Sequence, residues 1–101
     1  MSARSRACDI TPKVRASVLE RDHHRCIICG APRVQLAHAF INRSHGGLGV
    51  ERNLVALCIE HHMFLDNGKG EKSNPIKDSV QSYLRGHYGD IDLETLKYRK
   101  G

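Results

Sequence analysis

The spacing of apolar residues along this chain predicts short helices around two short strands. Val14, Val18 and Leu19 recur at helical spacing behind Thr11-Pro12, a capping residue with proline at the first helical position, so 12–21 reads as an amphipathic helix. Val34 to His38 alternates apolar and polar residues and reads as a short strand. Leu54-Val55-Ala56-Leu57 is an unbroken apolar run, which suits a buried strand. Between these two lies a glycine-rich loop, Ser44 to Gly49. Ile59 to Asp66 follows as a helix, with Asn67-Gly68 as its stop, and a polar linker runs to Ser73. Asn74-Pro75 then caps a longer helix in which Ile76, Val80, Leu84 and Tyr88 recur at four-residue steps with Tyr83 beside them, ending at Gly89. Asp92 caps a last short helical segment through Leu93, Leu96 and Tyr98, before a basic tail.

Composition narrows the class. A chain of 101 residues with 40% hydrophobic residues and no Trp has room for one modest core, so a metal or disulfide staple is expected to help hold it. Its apolar runs fall far short of the ~20 residues needed to cross a bilayer. The N-terminus carries charge but no apolar h-region, so no signal peptide is expected and a reducing cytosol is the expected location. Sixteen Lys and Arg against eleven Asp and Glu give a net charge of +5, which favours polyanionic partners, nucleic acid above all. A membrane protein, a secreted disulfide scaffold and a large multidomain enzyme are excluded as readings. What stands out is four Cys and seven His in so short a chain.

Three of those cysteines are paired in a telling way. Cys26 and Cys29 form a C-x-x-C pair followed by Gly30, which suits the left-handed turn of a metal knuckle. Cys58 and His61 form a C-x-x-H pair, and Cys8 stands apart. In a reducing compartment these two pairs read as one tetrahedral Zn²⁺ site. Either His61 or His62 could complete it; His61 keeps the spacing of the first pair and is the expected ligand. A thioredoxin-like redox pair would need a βαβ setting that this pattern lacks.

Inside the strand–loop–strand–helix unit, His38 ends the first strand, Asn53 precedes the second and His62 opens the helix. This order, with the segments CIICG, LAHAFINRSHGG, ERNLVALC and IEHHMFLDNG, resembles the HNH endonuclease family over residues 12–68. The resemblance implies an α+β fold: a ββα-metal (His-Me finger) core with a structural zinc knuckle and flanking helices. It divides the chain into a basic arm (1–11), a nuclease core (12–68) and a C-terminal helical extension (69–101). The extension resembles small phage and prophage HNH proteins, which implies a bacterial host cytoplasm and work beside packaging or recombination proteins.

The chemistry of phosphodiester hydrolysis suits these residues. A neutral imidazole near pH 7 can take the proton of the attacking water, and His38 is the candidate. His62 and Asp66 are four residues apart and share one helix face, where they could hold Mg²⁺, Mn²⁺ or Ni²⁺. Asn53 is expected to tie the loop after His38 to the second strand. Products with 5′-phosphate and 3′-hydroxyl ends are implied by the resemblance. Two positions depart from the commoner family pattern. Ala37 stands where many relatives carry a second ligand, so the ion relies on His62 and Asp66 alone or recruits His45 from the loop. His61 replaces a fourth cysteine, which Zn²⁺ accepts. Arg33, Arg43 and Arg52, with Arg4 and Arg6 of the arm, are the expected phosphate contacts for DNA. A noncatalytic zinc-stapled nucleic-acid-binding module is the rival reading, and Ala37 is its best support.

Overall fold

The computed structural model describes residues 9–43, 46–67 and 74–97. Readings that concern Arg4, Arg6, Cys8, His45, the 68–73 linker and the tail from Tyr98 lie outside the described residues. The elements run α1 (Pro12–Arg21), β1 (Gln35–His38), a 3₁₀ turn (Glu51–Asn53), β2 (Leu54–Leu57), α2 (Ile59–Asn67), α3 (Pro75–Tyr88) and a second 3₁₀ turn (Leu93–Leu96). This is a small α+β arrangement around a two-stranded antiparallel sheet. No helix of the described residues is long and apolar enough to cross a membrane.

Local chemistry sets the helix ends. The Thr11 hydroxyl accepts the Val14 N–H at 3.2 Å, and Pro12 occupies the first turn. The Asn74 side chain accepts the N–H groups of Ile76 and Lys77 at 3.1 and 3.2 Å. Gly89, with φ of 74°, closes α3 in a conformation glycine adopts without strain. The first strand begins one residue later than its alternation predicts, at Gln35.

Both faces of the sheet are covered, which explains why β2 is apolar at every position. The register pairs Leu36 with Ala56 and Ala37 with Val55. Side chains alternate across a strand, so Leu36, Leu54 and Ala56 meet Val18 of α1 on one face. Ala37, Val55 and Leu57 meet Leu65 of α2 and Val80 and Leu84 of α3 on the other. The C-terminal helix is therefore part of the same core as the strands.

A polar hub on the outer edge of β2 was not legible in the sequence. Asp22 is only 3% exposed. Its carboxylate accepts bonds from Arg21 (2.7 and 2.8 Å), the Tyr83 hydroxyl (2.5 Å) and the Ala56 N–H (2.9 Å). Arg21 in turn donates to the carbonyls of Leu54 (2.7 Å) and Glu51 (2.9 Å), and its guanidinium lies over the rings of Tyr83 and Tyr88. The pair thus satisfies the edge of β2 that has no partner strand. Burial would lower the Arg21 pKa, but its bonds to Asp22 and Tyr88 outweigh that and raise it. Burial and the bond to Asp22 push the Tyr83 hydroxyl up to about 12. Asp22→Ala strands Arg21 and the Ala56 N–H and is expected to cost about 3–5 kcal/mol of stability. Urea unfolding checks this, and a loss below about 1 kcal/mol would mean the hub is ornamental.

Candidate functional site

Four side chains from three segments converge beside the end of β2. The 26–30 loop folds back through the Gly30 N–H to Cys26 carbonyl bond (2.8 Å), with Gly30 at φ of 78°. Cys58 leaves β2 and His61 sits in the first turn of α2. The ligating atoms of Cys26, Cys29, Cys58 and His61 all lie within 4.8 Å of one another. This group can hold a metal ion such as zinc. The spacing fits: sulfurs on a tetrahedral Zn²⁺ with bonds of about 2.3 Å stand about 3.8 Å apart. Cys29 and Cys58 Sγ are 3.7 Å apart, and the His61 Nδ1 is 3.6 Å from Cys26 Sγ and 3.2 Å from Cys58 Sγ. The three described cysteines are free thiols.

The electrostatics match a cation. Burial works to raise the Cys26 thiol, but hydrogen bonds from the backbone of Cys58, Cys29 and Ile28 pull it down to about 6. Cys29 moves the other way: the Ala31 backbone lowers it, and desolvation and the sulfurs of Cys26 and Cys58 more than reverse that. Crowded thiols that cannot all ionise alone are what a bound cation relieves. Between the two candidate histidines, His61 is the one in this group.

His62 turns elsewhere. Its Nδ1 donates to the Gln35 side-chain oxygen at 2.9 Å, and its Nε2 faces Asp66 Oδ2 at 3.4 Å across one helical turn. With the Nδ1 proton held by Gln35, the Nε2 lone pair faces a carboxylate. Two such donors call for a proton or a metal ion between them. Gln35 escaped the sequence reading because its partner lies far along the chain.

His38 closes β1, opposite Leu54. Its Nε2 is buried and has no hydrogen-bond partner. Burial lowers its pKa below the ordinary value, and the charges of Arg43 and His62 lower it further, against the opposing pull of Asp66. The imidazole is therefore neutral at pH 7. His38, His62 and Asp66 interact electrostatically, yet they do not form a second ligand cluster; the Cys3His group is the one cluster of three or more such ligands among the described residues. Ala37, fully buried in the core, offers no ligand.

The loop after His38 is held from within. Asn53 is fully buried. Its side-chain oxygen accepts the N–H groups of Phe40 (3.0 Å) and Ile41 (3.1 Å), and its amide nitrogen donates to the carbonyls of Ile41 (3.0 Å) and Leu48 (3.1 Å). All its bonding capacity is spent on that loop. Gly47 closes the loop at a point where a Cβ would sit 1.9 Å from the Ile41 carbonyl oxygen, so no other residue fits. Arg33, Arg43 and Arg52 are exposed. Arg43 is paired with Asp9 and lies near enough to His38 to act on its charge. No family model, no curated protein and no solved structure matches this chain.

Proposed function

We propose that this chain is a metal-dependent DNA endonuclease of the HNH type, with a ββα-metal core clamped by a structural zinc on Cys26, Cys29, Cys58 and His61. The observation that carries this reading is His38, a neutral imidazole with an unpartnered Nε2, close enough to His62, Asp66 and Arg43 to feel their charges. That nitrogen takes the proton of the attacking water. A divalent ion on His62 and Asp66, such as Mg²⁺, Mn²⁺ or Ni²⁺, would neutralise charge on the phosphorane and on the 3′ leaving oxygen. Gln35 holds the His62 ring in the tautomer that leaves Nε2 open, and Asn53 holds the loop that follows His38. Arg33, Arg43 and Arg52 supply salt-sensitive attraction for the DNA backbone. Buried Ala37 favours the rival, a nucleic-acid-binding module without catalysis, because it removes one ligand position.

Incubation with supercoiled plasmid and each ion separates the two. Cleavage in at least one ion, giving ends that ligate without prior phosphorylation, is the expected result. Retarded plasmid that stays uncut in every ion establishes the rival.

A further inference from the structure

Two buried side-chain nitrogens have no hydrogen-bond partner among the described residues: His38 Nε2 and Asn74 Nδ2. They come from residues 36 positions apart, yet both residues line one small cleft of about 40 Å³, with Asn42, Lys77 and Leu65 in its wall. Buried polar groups are nearly always satisfied, so orphaned nitrogens on two residues that line one cleft point to a polar ligand there that completes the bonding. The Asn74 amide cannot simply turn over. Its oxygen is fixed as the helix cap by the N–H groups of Ile76 and Lys77, which leaves the NH₂ as the group facing away. The free groups on this side of the cleft are thus donors, an amide and the Lys77 ammonium. A cation is disfavoured beside them and an anion is favoured. Helix α3 is also braced against the loop that follows His38: Gln81 donates to the Ala39 carbonyl at 3.0 Å, and the Arg85 guanidinium lies 5.2 Å from the Phe40 ring centre.

We propose that helix α3 supplies half of the substrate site, with Asn74 and Lys77 holding a non-bridging oxygen of a phosphodiester in the cleft beside His38. This deepens the nuclease reading and rests on it for the identity of the anion as nucleic acid. The C-terminal helix then positions the phosphate while the β1 end supplies the base.

Asn74→Asp tests the proposal, because aspartate caps a helix as well as asparagine does and leaves the fold intact. It replaces the free NH₂ by a negative oxygen. Two probes are used: fluorescence anisotropy of a labelled DNA duplex without added divalent ion, and dimethyl phosphate titrated against ¹⁵N-labelled protein. The expected results are a DNA affinity lowered about tenfold or more by Asn74→Asp, and a salt dependence reduced by about one counterion in Lys77→Met. The Asn74 side-chain amide signals shift on adding dimethyl phosphate. Wild-type affinity and wild-type salt slope in both variants, with a silent Asn74 amide, overturn the proposal while leaving the nuclease reading intact. Dimethyl phosphate bound at Asn74 by a protein that cuts no DNA supports the cleft and removes the nuclease.

Discussion

Stripping the metal from the Cys26, Cys29, Cys58 and His61 site with a strong chelator is expected to unfold the domain. The reason lies in how little else holds α2. It has nine residues, fewer than the ~12–15 at which an isolated helix begins to persist. Ile59, Met63 and Phe64 are more than half exposed, and Leu65, at 7% exposure, is its one buried residue among those described. Its first turn is tied down by Cys58 and His61, two of the four ligands. Structural zinc contributes on the order of 10–16 kcal/mol in small domains, against a net stability of about 5–15 kcal/mol. Loss of the ion therefore exceeds what the remaining contacts supply. Far-UV circular dichroism during titration with a chelator, with released zinc read by a chromogenic dye, should show one ion leaving per chain as helicity collapses. Cys29→Ser should show the same collapse without chelator. Unchanged helicity after complete release of the ion would sink the structural role.

That outcome also separates two kinds of metal dependence. On the proposed nuclease reading, a chelator that removes only a weakly held ion from His62 and Asp66 is expected to stop cleavage but leave the spectrum unchanged, with activity restored by added Mg²⁺. Loss of the cysteine-bound ion removes α2 itself, so Mg²⁺ alone restores nothing.

The parts of this molecule that were legible in the sequence are those whose physics is local. Helix starts at Thr11 and Asn74 rest on a side chain and N–H groups two or three residues away. The Cys and His pairs announce themselves by spacing within one turn, and β2 by an apolar run that needs cover on both faces. What escaped is long-range. Asp22 looks like an ordinary helix-end acid, and its burial follows from Ala56 and Tyr83, 34 and 61 residues away. Gln35 acquires meaning from His62, and Asn74, legible as a cap, comes to line one cleft with His38 only through the fold. The choice between His61 and His62 was open in the sequence for a related reason: neighbouring helical residues diverge by about 100°, and only the position of Cys26 and Cys29 decides which one turns inward.

His38→Ala is expected to lower cleavage by about 10²- to 10⁴-fold while leaving the fold in place, the usual range for removing a general base. His38 is the last residue of β1, and far-UV circular dichroism of the variant checks that the fold is kept. The pH profile adds a sharper test. Burial, then Arg43 and His62, hold the His38 pKa below 6.5. A base must be neutral to act, so kcat/KM should climb as pH rises through that depressed value and level off before pH 7. Arg43→Gln removes one of the charges that lower it, and the rising limb should move toward higher pH. Stability follows the same group. Because the unfolded chain takes up this proton first, the neutral folded form loses stability as pH falls below the unfolded value near 6.5. Activity and stability therefore both fall on acidification in the wild type. In His38→Ala the residual activity loses that limb, and the part of the stability loss due to this residue disappears. A limb that persists unchanged in the variant would assign the titration, and the base, to another residue.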